Sequence, residues 1–357
     1  MPKILIARLG SLGDILHALP AVTAIRRTLP DTTIGWLVEE RWSELLTSPG
    51  PKGDAVSPQK PVVNLIHTVD TKRWRRRIAR PSTFAELRGA LRRVRAVHYD
   101  LALDFQGSIK SALLTWLSGV SSIAGFADPR ESAARMFYRS SQRFPRLGEH
   151  VIEQNHALAA QALKNYLGGQ ELKLVAPSLP CSPAADAWAQ AEIMRLGIAS
   201  FALVTPGAGW GAKQWPAERF GAVAQALARH NLKTLVNVAP GEEVLGQAVV
   251  DASAGSALAV RCALGQLVAL TRRARIFIGG DTGPLHLAAA LEVPLVALFG
   301  PTDPARTGPF GTRAIVFRHP ESKTTFSHHR APDEGLLQIS AEEVIGAARH
   351  LLGGGHA

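Results

Sequence analysis

Cysteine, tyrosine and methionine are scarce in this 357-residue chain, at two, three and three. Cys181 and Cys262 lie far apart and in no metal-ligand spacing. That excludes a disulfide framework or a cysteine metal site and predicts two free, buried thiols. No apolar run approaches the roughly 20 residues that cross a bilayer. The opening Met1-Pro2-Lys3-Ile4-Leu5-Ile6 enters a strand-like segment without a signal-peptide layout, so the expected location is the cytoplasm. No D-x-D pair stands at a predicted strand end. The glycine-rich loops match neither the G-x-G-x-x-G nor the G-x-x-x-x-G-K-[ST] spacing.

The apolar content, 46%, against 19% charged residues, is that of a folded protein, and the length suits two domains. Acids are missing from one stretch in particular. Between Lys72 and Arg95 stand ten basic residues, and Glu86 is the single acid. Most of the net charge of +11 is therefore one patch, which points to an anionic partner such as nucleic acid, an anionic lipid or an acidic sugar. The patch has no array of stacking aromatics and no nucleic-acid reading motif, which argues against nucleic acid.

Strand and helix signals alternate along the chain. Lys3–Leu9, Thr33–Glu39, Val62–Val69 and Asp100–Phe105 read as strands. Helices are predicted from Ile15, from Phe84 to Arg95, after Gly107, and from His150 to Leu167. Pro20 predicts a kink or a late start in the first helix. Pro177, Pro180 and Pro183 mark a boundary. Beyond it, strands at Phe201–Thr205, Thr234–Val238, Ile276–Gly279 and Leu295–Phe299 alternate with helices at Pro216–Arg229, Leu264–Arg272 and Pro284–Leu291. Ser340–Leu352 is a final helix with Ser340 as N-cap and Glu343 at the capping-box position. The fold class is α/β, with two Rossmann-like, doubly wound parallel sheets facing a central cleft.

Three loops carry possible chemistry. Gly279-Gly280-Asp281-Thr282-Gly283-Pro284-Leu285-His286 follows a strand and opens a helix. Its N–H groups and dipole would hold a phosphate, or it is an ordinary capped helix with a packed histidine. Pro206-Gly207-Ala208-Gly209-Trp210-Gly211-Ala212-Lys213 is either a diphosphate cradle with one lysine or a flexible connection. Asp14, after Gly10-Ser11-Leu12-Gly13, is a carboxylate at a cleft edge or a helix cap. Glu242 and Glu243 follow a strand and a turn, where an acid can bind ribose hydroxyls or begin a helix.

Taken together, these segments resemble the heptosyltransferase family of GT-B glycosyltransferases over nearly the whole chain. The resemblance rests on Gly13-Asp14-Ile15-Leu16-His17-Ala18-Leu19-Pro20, Lys213-Gln214-Trp215-Pro216, Asp281-Thr282-Gly283 with His286, and Gly300-Pro301-Thr302-Asp303-Pro304. Lys72-Arg73-Trp74-Arg75-Arg76 and Asp104-Phe105-Gln106-Gly107-Ser108-Ile109-Lys110-Ser111 resemble its type I branch rather than type II. The loop before Lys213 departs from the family in having glycine where hydroxyl residues are frequent.

The resemblance implies an inverting, metal-independent transfer of heptose from ADP-heptose to the Kdo of Kdo-lipid A in lipopolysaccharide inner-core synthesis. The alternatives are a type II or other ADP-heptose transferase and, more distantly, a GT-B-like nucleotide-sugar epimerase. Asp14 would be the catalytic base. Lys213, Asp281, Thr282, Gly283 and His286 would hold the ADP, and Glu243, or else Glu242, its ribose. Lys72, Arg73, Arg75, Arg76, Arg130 and His150 would face the acceptor, with Lys72 to Arg77 mobile until it binds. Arg88 to Arg95 would rest on the anionic inner membrane from its cytoplasmic side. The implied organisation is an acceptor domain at 1–178, a donor domain at 179–338, and a helix at 339–357 packing back on the first domain. The protein would be a monomer.

Overall fold

The computed structural model describes residues 1–49, 53–77, 80–139, 142–325 and 331–353. The chain divides into two compact units, Met1–Cys181 and Ser182–Ala357.

In the first unit the strands are β1 (Lys3–Ala7), β2 (Thr33–Glu39), β3 (Leu65–Val69), β4 (Leu101–Asp104), β5 (Ile123–Phe126) and β6 (Arg143–Phe144). The helices are α1 (Leu12–Thr28), α2 (Thr71–Arg76), α3 (Pro81–Arg95), α4 (Ile109–Leu117) and α5 (Val151–Ala162). All pairings are parallel, in the order β3-β2-β1-β4-β5-β6. Ile4, Leu5, Ile6 and Ala7 of β1 are fully buried, as a central strand covered on both faces requires. Helix α1 begins at Leu12 and runs on across Pro20.

The second unit repeats the plan. Its strands are β7 (Phe201–Thr205), β8 (Lys233–Asn237), β9 (Ala257–Val260), β10 (Ile276–Gly280), β11 (Leu295–Phe299) and β12 (Ala314–Arg318). Its helices are α6 (Pro183–Arg195), α7 (Ala217–Ala228), α8 (Glu243–Ala252), α9 (Leu264–Thr271), α10 (Gly283–Ala290), α11 (Pro304–Thr307), α12 (Glu334–Gln338) and α13 (Ala341–Gly353). The strand order is β12-β11-β10-β7-β8-β9. Numbered within its own unit, each sheet has the Rossmann order 3-2-1-4-5-6. In such sheets the direction of winding reverses between the first and fourth strands, and ligands bind beyond the strand ends there.

The last helix, α13, has the expected capping box, with the Ser340 N–H on Glu343 at 2.8 Å and the Glu343 N–H on Ser340 at 3.2 Å. Its apolar side completes the second unit's own core: Val344, Ala347, Ala348 and Leu351 are buried with Phe220, Val223 and Leu298. Residues 354–357 of that expected segment lie outside the described residues. The thiols differ from expectation: Cys181 is exposed, and Cys262 is half-buried, with burial pushing its thiol up to about 12.

Candidate active site

In the first unit, β1 and β4 are the strands at the reversal point. Asp14 sits in the first turn of α1, just beyond β1. Its carboxylate accepts the Ser11 N–H at 2.8 Å and the Ser11 hydroxyl at 3.1 Å, and pairs with Arg8 at 2.5 Å. Burial alone would raise the Asp14 pKa, but the Arg8 charge and the Ser11 bonds outweigh it and hold the carboxyl below its ordinary value. The Asp14 side chain is 35% exposed and the Arg8 side chain 10%. The carboxylate is thus reachable while the guanidinium is enclosed.

Arg8 also donates to the Phe105 carbonyl at 2.5 Å, tying the ends of β1 and β4 together. The turn it reaches is pinned by Asp104. That fully buried carboxylate accepts from the Gln106 and Gly107 N–H groups, from Ser111 at 3.0 Å and from Tyr138 at 2.6 Å. Neither Arg8 nor the Asp104–Tyr138 pair was singled out from the sequence for this role. The available signal for Arg8 was a charge set inside the otherwise apolar run KILIARL.

The expected acceptor residues all lie in segments that follow the C-terminal ends of strands in this unit. Lys72, Arg73, Arg75 and Arg76 are exposed on α2, directly after β3. Arg130 is exposed in the segment after β5, with its backbone N close against Gly107. Gly107 has φ of 64°, a conformation suited to glycine. His150 follows β6 and caps α5, its Nδ1 accepting the Ile152 N–H at 3.2 Å. Its ring meets that of His17 edge-on at 5.7 Å, which sets it against α1 one turn beyond Asp14.

The segment Lys72–Arg77 has contacts of its own. Asp70 caps α2 through the Arg73 N–H at 2.9 Å, Trp74 donates to Glu86 at 3.0 Å, and Arg73 pairs with the same carboxylate. The patch's single acid therefore anchors the segment, and Trp74 adds contact with the core.

In the second unit the reversal point lies between β7 and β10. Lys213 ends a short 3-10 turn after β7, and Asp281 follows β10. The Lys213 ammonium pairs with Asp281 at 2.5 Å, and His286 Nε2 stands 3.1 Å from the other carboxylate oxygen. These side chains are 12%, 7% and 8% exposed. Burial would raise the Asp281 pKa, but His286 and Lys213 reverse that and hold the carboxyl far below the usual carboxylate range. Lys213 also lies 5.0 Å from the Trp210 ring centre. Gly280 permits the arrangement, since a Cβ there would meet the Lys213 carbonyl oxygen at 3.0 Å.

Thr282 occupies the N-cap of α10 without capping it. Its hydroxyl turns back to the Gly280 carbonyl at 3.3 Å. The Gly283 end of the helix thus has no side-chain cap, which suits it to an anion. The two glutamates differ. Glu242 is half-buried over Gly207, where any Cβ would collide with its carboxylate, and burial with the Glu243 charge raises its pKa. Glu243 is 43% exposed and pairs with Arg261 at 3.7 Å. Two further hydroxyls, of Thr205 at the end of β7 and Thr302 after β11, are buried without a partner. Among the described residues no three His, Cys, Asp or Glu side chains converge to hold a metal ion.

Comparison with known proteins agrees with this architecture. Residues 88–334 match the model of glycosyltransferase family 9 (heptosyltransferase). The chain is 30% identical over 324 residues to lipopolysaccharide heptosyltransferase 1 of Pseudomonas aeruginosa, covering 88% of this chain and 82% of that one. Among solved structures it resembles the family 9 glycosyl transferase from Veillonella parvula, with a TM-score of 0.80, 23% identity, and 98% and 97% of the two chains covered. It also resembles E. coli heptosyltransferase WaaC with ADP, with a TM-score of 0.77, 24% identity, and 98% and 99% covered. These likenesses identify the fold as GT-B, and the family match covers well over half of the sequence. The chain belongs to glycosyltransferase family 9, the heptosyltransferases.

Proposed function

We propose that this glycosyltransferase moves L-glycero-D-manno-heptose from ADP-heptose to the Kdo of Kdo-lipid A, with inversion at the anomeric carbon. The observation that carries this reading is the division of chemistry between the two units. A reachable carboxylate with no lysine against it stands at one reversal point. A lysine–aspartate–histidine cluster beside an uncapped helix start stands at the other.

In this reading Asp14 accepts the proton of a Kdo hydroxyl as its oxygen bonds to the anomeric carbon. The bond from that carbon to the phosphate oxygen breaks, and ADP leaves on the opposite face. An ionised carboxylate suits a proton that is transferred late, when the attacking oxygen has become acidic. Lys213, Thr282, Gly283 and the start of α10 supply positive charge to the departing diphosphate, without a metal. Asp281 and His286 hold the Lys213 ammonium in position. Glu243, exposed at the start of α8, is the ribose ligand, and Glu242 is the alternative. Lys72, Arg73, Arg75, Arg76, Arg130 and His150 receive the acidic acceptor, as guanidinium groups bind carboxylate and phosphate in bidentate fashion. The acceptor is a lipid, so the enzyme works at the cytoplasmic face of the inner membrane. No helix among the described residues is long and apolar enough to cross a membrane, and peripheral contact is the corresponding mode.

The test is ADP release from ADP-heptose, followed with and without Kdo-lipid A. Release that requires the acceptor supports transfer. Equal ADP release from the donor alone would favour hydrolysis, and conversion of the donor without ADP release would favour epimerisation.

A further inference from the structure

The outer side of α4 is apolar where a surface helix is ordinarily polar. Its exposed positions are Ile109, Lys110, Leu113 and Trp116, while Ser111, Ala112, Leu114 and Thr115 face inward. Ile109, Leu113 and Trp116 are spaced i, i+4, i+7, so they form one stripe, and they are 42%, 37% and 56% exposed. The 3-10 segment Ser132–Phe137 packs beside α4, with the Trp116 and Phe137 ring centres 6.0 Å apart. Its Met136 is 76% exposed. Single exposed apolar residues need no explanation, but a ridge of large ones does.

The surroundings of the ridge are basic. Arg88, Arg92 and Arg95 are exposed along α3 at i, i+4, i+7. Arg95 reaches α4 itself, donating to the Leu117 carbonyl at 2.9 and 2.6 Å. Arg135 and Arg139 are exposed in and just after the 3-10 segment. The neighbouring acid, Glu131, accepts the Ile109 N–H at 2.9 Å.

We propose that the ridge of Ile109, Leu113, Trp116 and Met136 enters the interfacial layer of an anionic bilayer, while the arginines around it lie on the lipid headgroups. The proposal rests on the reading of the acceptor as a membrane lipid. It adds an inserted element to what would otherwise be a purely electrostatic contact. An apolar ridge with a basic rim matches the layering of a membrane surface, acyl chains below and anionic heads above. Tryptophan is suited to that boundary. A second copy of the chain is a poorer fit, because its own basic rim would repel this one.

Flotation with phosphatidylglycerol-containing and pure phosphatidylcholine vesicles tests the idea. The variant Leu113→Gln/Trp116→Gln should lose about tenfold or more of its partitioning to the anionic vesicles, as two apolar side chains no longer insert. Its turnover of a soluble, delipidated acceptor should stay at the wild-type level, showing that the fold and active site are intact. In the wild type, lipids brominated near the headgroup should quench tryptophan fluorescence, and Trp116→Phe should remove that quenching while keeping the partitioning. Unchanged partitioning of the double variant would overturn the proposal. So would a concentration-dependent dimer that the double variant abolishes, since a second copy would then cover the ridge. The underlying reading fails separately: an enzyme that docks through the ridge yet transfers no heptose to Kdo-lipid A leaves the proposal standing and removes the reaction. An enzyme that transfers heptose yet binds no vesicle does the reverse.

Discussion

Asp14 and Asp281 are both carboxylates beside a cation at a strand end, yet they are built for different work. Asp281 is enclosed and has a partner on each oxygen, which suits it to holding Lys213 rather than to accepting a proton. Asp14 is 35% exposed and its cation, Arg8, only 10%. Replacing Asp14 by Ala should therefore cost 10²–10⁴-fold in turnover, the usual loss for a general base, while ADP affinity stays nearly constant in calorimetry. Arg8→Gln should act through Asp14. Without the guanidinium, burial dominates and the carboxyl pKa rises. Asp14 would then remain protonated to higher pH, so the acidic limb of the kcat/KM profile should move upward relative to wild type. An unmoved limb together with a general loss of rate would make Arg8 merely structural. In the second unit, Lys213→Ala or Asp281→Ala should weaken ADP binding, and calorimetry with both variants at wild-type affinity would refute that assignment. The Asp281 pKa is depressed on folding, so its stabilising contribution is complete above the ordinary carboxylate value of 3.8. It is lost progressively as pH falls from there through the depressed value. Loss of Lys213 should accordingly bring acid unfolding to a higher pH, since a buried charge then loses one of its partners.

At the scale of elements, α2 is where charge and order meet. The run Lys72–Arg77 would repel itself as an isolated peptide, and it is helical here because Asp70 caps it and Glu86 takes both Arg73 and Trp74. A preformed basic helix presents its free guanidinium groups without having to be ordered when the acceptor arrives. Changing Arg73, Arg75 and Arg76 together to Ala should raise KM for a soluble, delipidated acceptor and leave the ADP affinity alone. A normal KM would remove α2 from acceptor binding. The capping box at Ser340 shows the complementary case, in which a short local pattern was fully legible in the sequence. Where that helix docks was not legible. The spacing of Val344, Ala347, Ala348 and Leu351 specifies an apolar face, and nothing in the spacing names the surface that it meets.

At the scale of the whole molecule, the two-unit α/β organisation was readable because the central strands are short apolar runs alternating with helix signals. Lys3–Ala7, Thr33–Glu39, Phe201–Thr205 and Leu295–Phe299 are of this kind. The strands that escaped notice lie toward the sheet margins and are brief: Ile123–Phe126, Arg143–Phe144, Ala257–Val260 and Ala314–Arg318. Runs of two to five residues, without a glycine-rich loop or a fully apolar stretch to mark them, give too little periodicity to separate a strand from a loop. The loops that begin helices after β1, β7 and β10 were visible for the same reason as the central strands. The partners that tune them, Arg8 and the Asp104–Tyr138 pair, are joined only by tertiary structure.

The proposed reaction depends most on Asp14 as the group that takes the acceptor's proton. The most direct measurement is mass spectrometry of the lipid after incubation with ADP-heptose and Kdo-lipid A, using wild type and Asp14→Asn side by side. The wild type should add one heptose, and Asp14→Asn none or a trace despite intact ADP binding. Unmodified Kdo-lipid A after full turnover by the wild type, or equal heptose addition by Asp14→Asn, would contradict the proposed reaction.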